Sequence, residues 1–219
     1  MEQFHDPKSS LEKEVSTPPA SVSASKAASG KEGPSFIGEI IRFSLIALLI
    51  VLPIRMFIAQ PFIVSGASME QTFSTNEYLI VDQVSYRFEE PERGDVIVFR
   101  YPKDPSKFFI KRIIGIPGDT IDIDGNVITL TNETYADGVV IEEPYVLSMS
   151  PNTTLTEILG DEEYFVMGDN RDASSDSRMW GVLQRDKIIG RAFLRLFPFT
   201  KLSVFPGEYD LPQQITSSQ

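Results

Sequence analysis

Phe108-Phe109-Ile110-Lys111-Arg112-Ile113-Ile114 is a run of strand length in which aromatic and β-branched residues flank two adjacent cations. In an extended chain successive side chains alternate between faces, so Phe109, Lys111 and Ile113 share one face. A lysine in that company has two readings. It snorkels to solvent, or it is held among apolar groups, where burial disfavours the ammonium and leaves an amine able to take a proton. The pattern by itself leaves both open.

Runs of the same character surround this one. Tyr78-Leu79-Ile80-Val81, Asp95 to Phe99, Phe108 to Ile116, Thr120 to Ile123, Val127 to Leu130, Glu163 to Met167 and Ile188 to Phe197 read as strands. Asp124-Gly125-Asn126 reads as a hairpin turn, and Pro91, Gly94, Pro102, Pro105, Pro117 and Gly118 punctuate the rest. Residues 131–162 are more polar and read as an inserted cap with little regular structure, the Asn-x-Thr triplets at Asn132 and Asn152 being chance matches. The expected fold is mostly β: a sheet domain over residues 59–219, hung on one helix.

That helix is expected at residues 36–58, where 23 mostly apolar residues are interrupted only by Glu39, Arg42 and Arg55 among the charged types. A span needs about 20 such residues. The uninterrupted core, Phe43 to Ile54, has only 12, which leaves a buried or monotopic helix as the competing reading. Residues 1–35, rich in serine, proline and alanine, read as a disordered tail. The lysines and Arg42 ahead of the span place the tail in the cytoplasm and the body outside it.

Composition removes whole chemistries. The 219 residues include no cysteine and one histidine, His5, in the tail. Ser-His-Asp and Cys-His sites, Cys/His zinc sites and disulfide frameworks are therefore excluded from the body. Catalysis there must use hydroxyls, carboxylates, lysine or arginine. The net charge of -11, with Lys and Arg scattered singly, speaks against nucleic acid and for a soluble acidic surface. Two further stretches hold hydroxyls that a lysine could activate. Ser65-Gly66-Ala67-Ser68-Met69 is either a linker or a nucleophile turn open to a substrate backbone. Gly168-Asp169-Asn170-Arg171-Asp172-Ala173-Ser174-Ser175-Asp176-Ser177-Arg178 could bind a hard cation, hold a salt-bridge network or support a catalytic lysine. Its spacing is not that of an EF-hand loop, and no metal is expected.

Taken together, these three stretches resemble the type I signal peptidases, membrane-anchored serine proteases that remove signal peptides from exported precursors. The resemblance covers roughly residues 36–205. It implies Ser68 as nucleophile and Lys111 as neutral general base, with no cofactor. It further implies that Ser174 orients the lysine amine, that Asp176 and Arg178 brace the site along with Asp169 and Arg112, and that Gly66, Ser68 and Met69 contribute oxyanion or substrate contacts. The implied place is the cell membrane, single-pass, with the catalytic domain outside the cytoplasm. The implied partners are signal-peptide-bearing precursors and the bilayer, with the secretion machinery a further candidate. Two departures stand out. Gly66 occupies a position that is a hydroxyl-bearing serine in some members, and Gln71 replaces the family's proline after the nucleophile motif. A self-cleaving Ser/Lys protease of the repressor type and an inactive membrane-anchored scaffold are the competing functions.

Overall fold

The computed structural model describes residues 36–53, 59–146, 153–209 and 211. The expected tail and residues 54–58 of the expected span lie outside the described residues. The chain divides into two units between Phe43 and Ser44. The first helix, α1 (Phe36–Pro53), has 18 residues, about 27 Å at 1.5 Å per residue, against roughly 30 Å of hydrocarbon. Among the described residues, no helix is long and apolar enough to cross a membrane.

The remainder is β structure. Its strands are β1 (Ala59–Ile63), β2 (Tyr78–Asp82), β3 (Val96–Tyr101), β4 (Asp104–Gly115), β5 (Thr120–Asp124), β6 (Val127–Thr131), β7 (Val139–Val140), β8 (Thr154–Ile158), β9 (Glu163–Met167), β10 (Leu183–Gln184), β11 (Ile188–Phe197) and β12 (Ser203–Val204). One sheet has the order β1-β2-β11-β3-β4-β9-β10, with β12 added on β11; a second runs β7-β6-β5-β8. All of these pairings are antiparallel.

Every strand expected from the sequence is present, and the additions have local causes. β1 continues the apolar character of the helix region, which hid it; it sits at a sheet edge, where Pro61 costs no ladder hydrogen bond on its open side. β4 begins at Asp104 rather than Phe108, because Tyr101 pairs with Asp104 across the two-residue turn Pro102-Lys103. Residues 131–162, expected to carry little regular structure, supply β7 and β8, which flank the β5–β6 hairpin on either side. Short strands with mixed polar character, such as Thr154-Leu155-Thr156-Glu157-Ile158, carry a weak periodic signal.

β3 lies in the middle of the large sheet and is buried on both faces. Val96 packs with Val64, Met69, Phe73 and Leu79 on one side, while Ile97 and Phe99 pack with Ile113, Tyr164 and Val166 on the other. A third cluster joins Ile121, Ile123, Ile128 and Leu130 of the small sheet to Ile114, Phe165 and Met167 of the large one.

Curling of the large sheet creates the site. Four strand-to-strand steps separate β1 from β4 in the order β1-β2-β11-β3-β4, about 19 Å if the sheet were flat. Yet the Phe62 and Phe108 rings of these two strands meet with centroids 5.5 Å apart. Register shifts between β11 and its neighbours β2 and β3 supply extra twist. At one of them Gly190 is required, since a Cβ there would run into the Asp82 carbonyl. The result is a cleft of about 450 Å³ between β1 with its following turn and β4, lined by Phe62, Val64, Phe108 and Ile110 among others.

Candidate active site

Ser68 stands in the turn after β1 and Lys111 on β4, and both line the cleft. The Lys111 amine donates to Ser68 Oγ at 2.6 Å and to the Ile110 carbonyl at 2.9 Å. The lysine is 3% exposed and its Nζ lies 5.4 Å from the Phe109 ring centre. Burial lowers its pKa to about 8, against an opposing pull from the Asp176 and Asp169 charges. A neutral amine beside a hydroxyl can take the hydroxyl proton, leaving an oxygen nucleophile.

A family model described as "Signal peptidase, peptidase S26" matches residues 37–197. A probable signal peptidase I-1 of Synechocystis is 37% identical over 174 residues, covering 76% of this chain and 85% of the relative. A signal peptidase I of Leptolyngbya laminosa is 35% identical over 193 residues, covering 85% and 90%. Another, from Aquifex aeolicus, is 32% identical over 225 residues, covering 78% and 88%. The chain belongs to the signal peptidase family. The activity that goes with that membership is that of a serine endopeptidase acting on signal peptides.

Around the Ser68–Lys111 pair, the loop from Gly168 to Arg178 holds the nucleophile turn by its backbone. Asn170 N–H donates to the Ser68 carbonyl at 3.0 Å and Asn170 Nδ2 to the Ala67 carbonyl at 3.1 Å. Gly168 makes this approach possible. A Cβ at that position would collide with the Ser68 carbonyl and with the Ser174 hydroxyl.

Asp169 and Arg112 form a bidentate pair, Nε to Oδ1 at 2.9 Å and Nη2 to Oδ2 at 2.7 Å, with both side chains 1% exposed. Thr72 Oγ1 donates to the same carboxylate at 2.5 Å. The guanidinium also donates to the Gly94 and Gly207 carbonyls, at 2.9 and 2.5 Å, and stacks 3.9 Å from the Tyr145 ring centre. A buried charge pair persists only when its remaining donors and lone pairs are met in this way.

Asp176 caps the short helix α2 (Ser177–Trp180). Burial pushes its carboxyl up, but the Arg178 guanidinium, bonded at 2.8 and 2.9 Å, and the Gly168 N–H at 3.1 Å hold it below the usual carboxylate range. The Ser174 hydroxyl adds to this by proximity, without reaching hydrogen-bond geometry with any group among the described residues. It is not bonded to the Lys111 amine, in contrast to the orienting role the resemblance implies.

Two further residues expected at the oxyanion or substrate contact are placed differently from one another. Met69, expected at the oxyanion or substrate contact, is a core side chain, 1% exposed, whose sulfur accepts the Asp169 N–H at 3.4 Å. Its place beside Ser68 in sequence gave no sign that the turn directs it inward. Gly66 lines the cleft with φ +100° and open space where a side chain would go, so backbone conformation, not crowding, favours glycine there.

Residues that sequence reasoning did not single out complete the frame. Asn170 stood inside a quoted motif and Thr72 shortly after one, and neither gave a sign of its partner. Glu143, which binds Arg171 Nη2 at 2.5 Å, and Tyr145, which donates to Glu143 at 2.8 Å, come from the segment expected as a cap. No local pattern announces a carboxylate that will meet an arginine 28 residues on.

Proposed function

We propose that Ser68 is the nucleophile and Lys111 the general base of a membrane-anchored endopeptidase that removes signal peptides from exported precursors. The observation that carries the assignment is the 2.6 Å contact between a lysine amine and a serine hydroxyl inside an apolar cleft. Ser68 Oγ attacks the scissile carbonyl while neutral Lys111 accepts its proton, then returns it to the leaving amine. Water enters by the same route and releases the acyl group. The Ser68 N–H makes no backbone hydrogen bond among the described residues, which suits an oxyanion donor. With Gly66 in place of a hydroxyl, backbone groups carry that task. Substrates follow the family resemblance: small residues, typically alanine, at the first and third positions before the cut.

The anchoring rests on residues 36–58. From Phe36 to Val51 the side chains of α1 are exposed, Phe36, Ile41, Phe43, Leu49 and Val51 among them by more than half their surface. Lipid is the natural cover for such a helix, and five further residues extend the run toward the length a span needs. The tail lies on the cytoplasmic side and the catalytic domain outside. Precursors and the bilayer are the partners, and no cofactor is called for.

Cleavage of a purified precursor by wild type, Ser68→Ala and Lys111→Ala tests the assignment. Wild type cuts once, after the small residue, and each variant loses at least about 10³-fold in kcat/KM. Cleavage at wild-type rate by either variant refutes it.

A further inference from the structure

Glu143-Pro144-Tyr145-Val146 forms a turn that the chemistry of the dyad leaves unexplained. Val146 N–H donates to the Glu143 carbonyl at 3.0 Å, and Pro144 stands second, where its fixed φ suits such a turn. The turn has a firm footing. Ile141, two residues before it, donates its N–H to the Ile128 carbonyl of β6 at 2.9 Å and packs in the cluster of the small sheet. Val146, at its end, is buried.

From that footing two polar side chains reach two arginines of the site at once. Glu143 Oε1 accepts from Arg171 Nη2 at 2.5 Å and from the Tyr145 hydroxyl at 2.8 Å. The Glu143 and Arg171 side chains are only 9% and 7% exposed. The Tyr145 ring lies against the Arg112 guanidinium at 3.9 Å. Burial, and then the Glu143 charge, push the Tyr145 phenol well up, so its hydroxyl stays a donor.

Arg171 passes this restraint forward. Its Nε donates to the Gly168 carbonyl at 3.1 Å, and its own carbonyl accepts from Arg178 Nη2 at 2.8 Å. Gly168 packs directly against the Ser68 carbonyl, and Asn170 donates to the Ser68 and Ala67 carbonyls at 3.0 and 3.1 Å. Neither Glu143, Tyr145 nor Arg171 lines the cleft, whose walls are mainly β1, its following turn and β4. The chain of contacts therefore arrives at Ser68 from behind, away from where a substrate lies.

We propose that Glu143 and Tyr145 are positioning residues for the cleavage reaction. They hold Arg171, and through it the Gly168–Asn170 backbone, so that Ser68 Oγ keeps its attitude to the scissile carbonyl. The inference rests on the peptidase reading above. Removing the carboxylate leaves a buried guanidinium uncompensated, and the backbone it grips shifts with it. A nucleophile misplaced by about 1 Å costs about 10²-fold in rate. Because the cleft walls are untouched, the loss falls on kcat and not on KM.

The test is precursor cleavage by the full chain carrying Glu143→Ala, Glu143→Gln or Tyr145→Phe, at a temperature where circular dichroism shows each variant folded. Glu143→Ala is expected to lower kcat about 10²-fold, with KM within about 2-fold of wild type. Glutamine keeps an oxygen that accepts both hydrogen bonds, so Glu143→Gln is expected to restore kcat to within about 3-fold of wild type. Tyr145→Phe keeps the ring on Arg112 and loses one hydrogen bond, for a fall of about 5-fold in kcat. Wild-type kcat in both Glu143→Ala and Tyr145→Phe, or a loss carried by KM, overturns the positioning role alone. A Glu143→Gln loss as deep as that of Glu143→Ala overturns it as well. Should Glu143→Ala not fold, Tyr145→Phe decides by the same split between kcat and KM. Failure of wild type to cleave any precursor overturns the peptidase reading, and the positioning role falls with it.

Discussion

Lys111 and Arg112 are neighbours on β4, almost equally buried, and have been given opposite surroundings. Arg112 meets a carboxylate with two hydrogen bonds, two carbonyls and an aromatic face. Lys111 meets a serine hydroxyl, one carbonyl and apolar walls, and makes no ion pair among the described residues. One side of the strand is built to keep a charge in the interior, the other to remove one. Burial alone therefore does not define a base. What matters is burial without a paired carboxylate, beside a group that bears the proton to be moved.

The sharpest way to break the contrast is to make the base permanently charged. Lys111→Arg keeps a cation at the position but cannot deprotonate near neutral pH, and kcat/KM for precursor cleavage is expected to fall by about 10³-fold or more. Retained activity would mean that the charge, not the neutral amine, matters. On the other face, Arg112→Met leaves Asp169 buried and unpaired. Thermal or denaturant unfolding should register a loss of about 3–5 kcal/mol, and a shift below 1 kcal/mol would show the pair to be dispensable.

The cost of burying Lys111 has a sign that pH exposes. Its pKa falls from 10.5 in the unfolded chain to about 8 in the folded protein, so between those values the unfolded state binds more protons and stability rises with pH. Below pH 8 the penalty is fully present, about 3 kcal/mol. Lys111→Met should accordingly be more stable than wild type at pH 7, with the gap closing toward pH 10.5. A pH-independent gap would point to packing instead. The smallest effect is expected at Gln71, which adopts φ +86° in the turn joining Ser68 to Thr72. Gln71→Gly should stabilise by about 1 kcal/mol, whereas Gln71→Pro, with φ locked near -65°, should destabilise. Stabilisation by proline would contradict the backbone geometry.

Gln71 also marks the limit of what residue patterns convey. Its replacement of the family's proline reads in sequence as a change of loop stiffness, yet the cause is a left-handed backbone in which proline cannot sit. The long strands, by contrast, were legible, because β3, β4, β9 and β11 carry dense β-branched and aromatic runs around the Lys111 stretch. β1, β7 and β8 were not: the first merges with the apolar helix region, and the others alternate too weakly to stand out. At the site, Ser68, Lys111, Asp169 and Arg112 could be proposed because they fall within contiguous motifs. Their geometry depends on the curl of the sheet between β1 and β4, a tertiary property with no local signature. The same holds for Thr72, Asn170 and Gly168, whose contacts join segments about 100 residues apart.

The account stands on Lys111 being neutral where the enzyme works. NMR titration of the Lys111 side chain, with lysine labelled at Cε and the resonance assigned by comparison with Lys111→Met, measures this without recourse to turnover. A midpoint near pH 8 is predicted, with Ser68→Ala leaving it well below the ordinary lysine value because burial, not the serine, is the first cause. A midpoint near 10.5 in the folded wild-type protein would contradict the account.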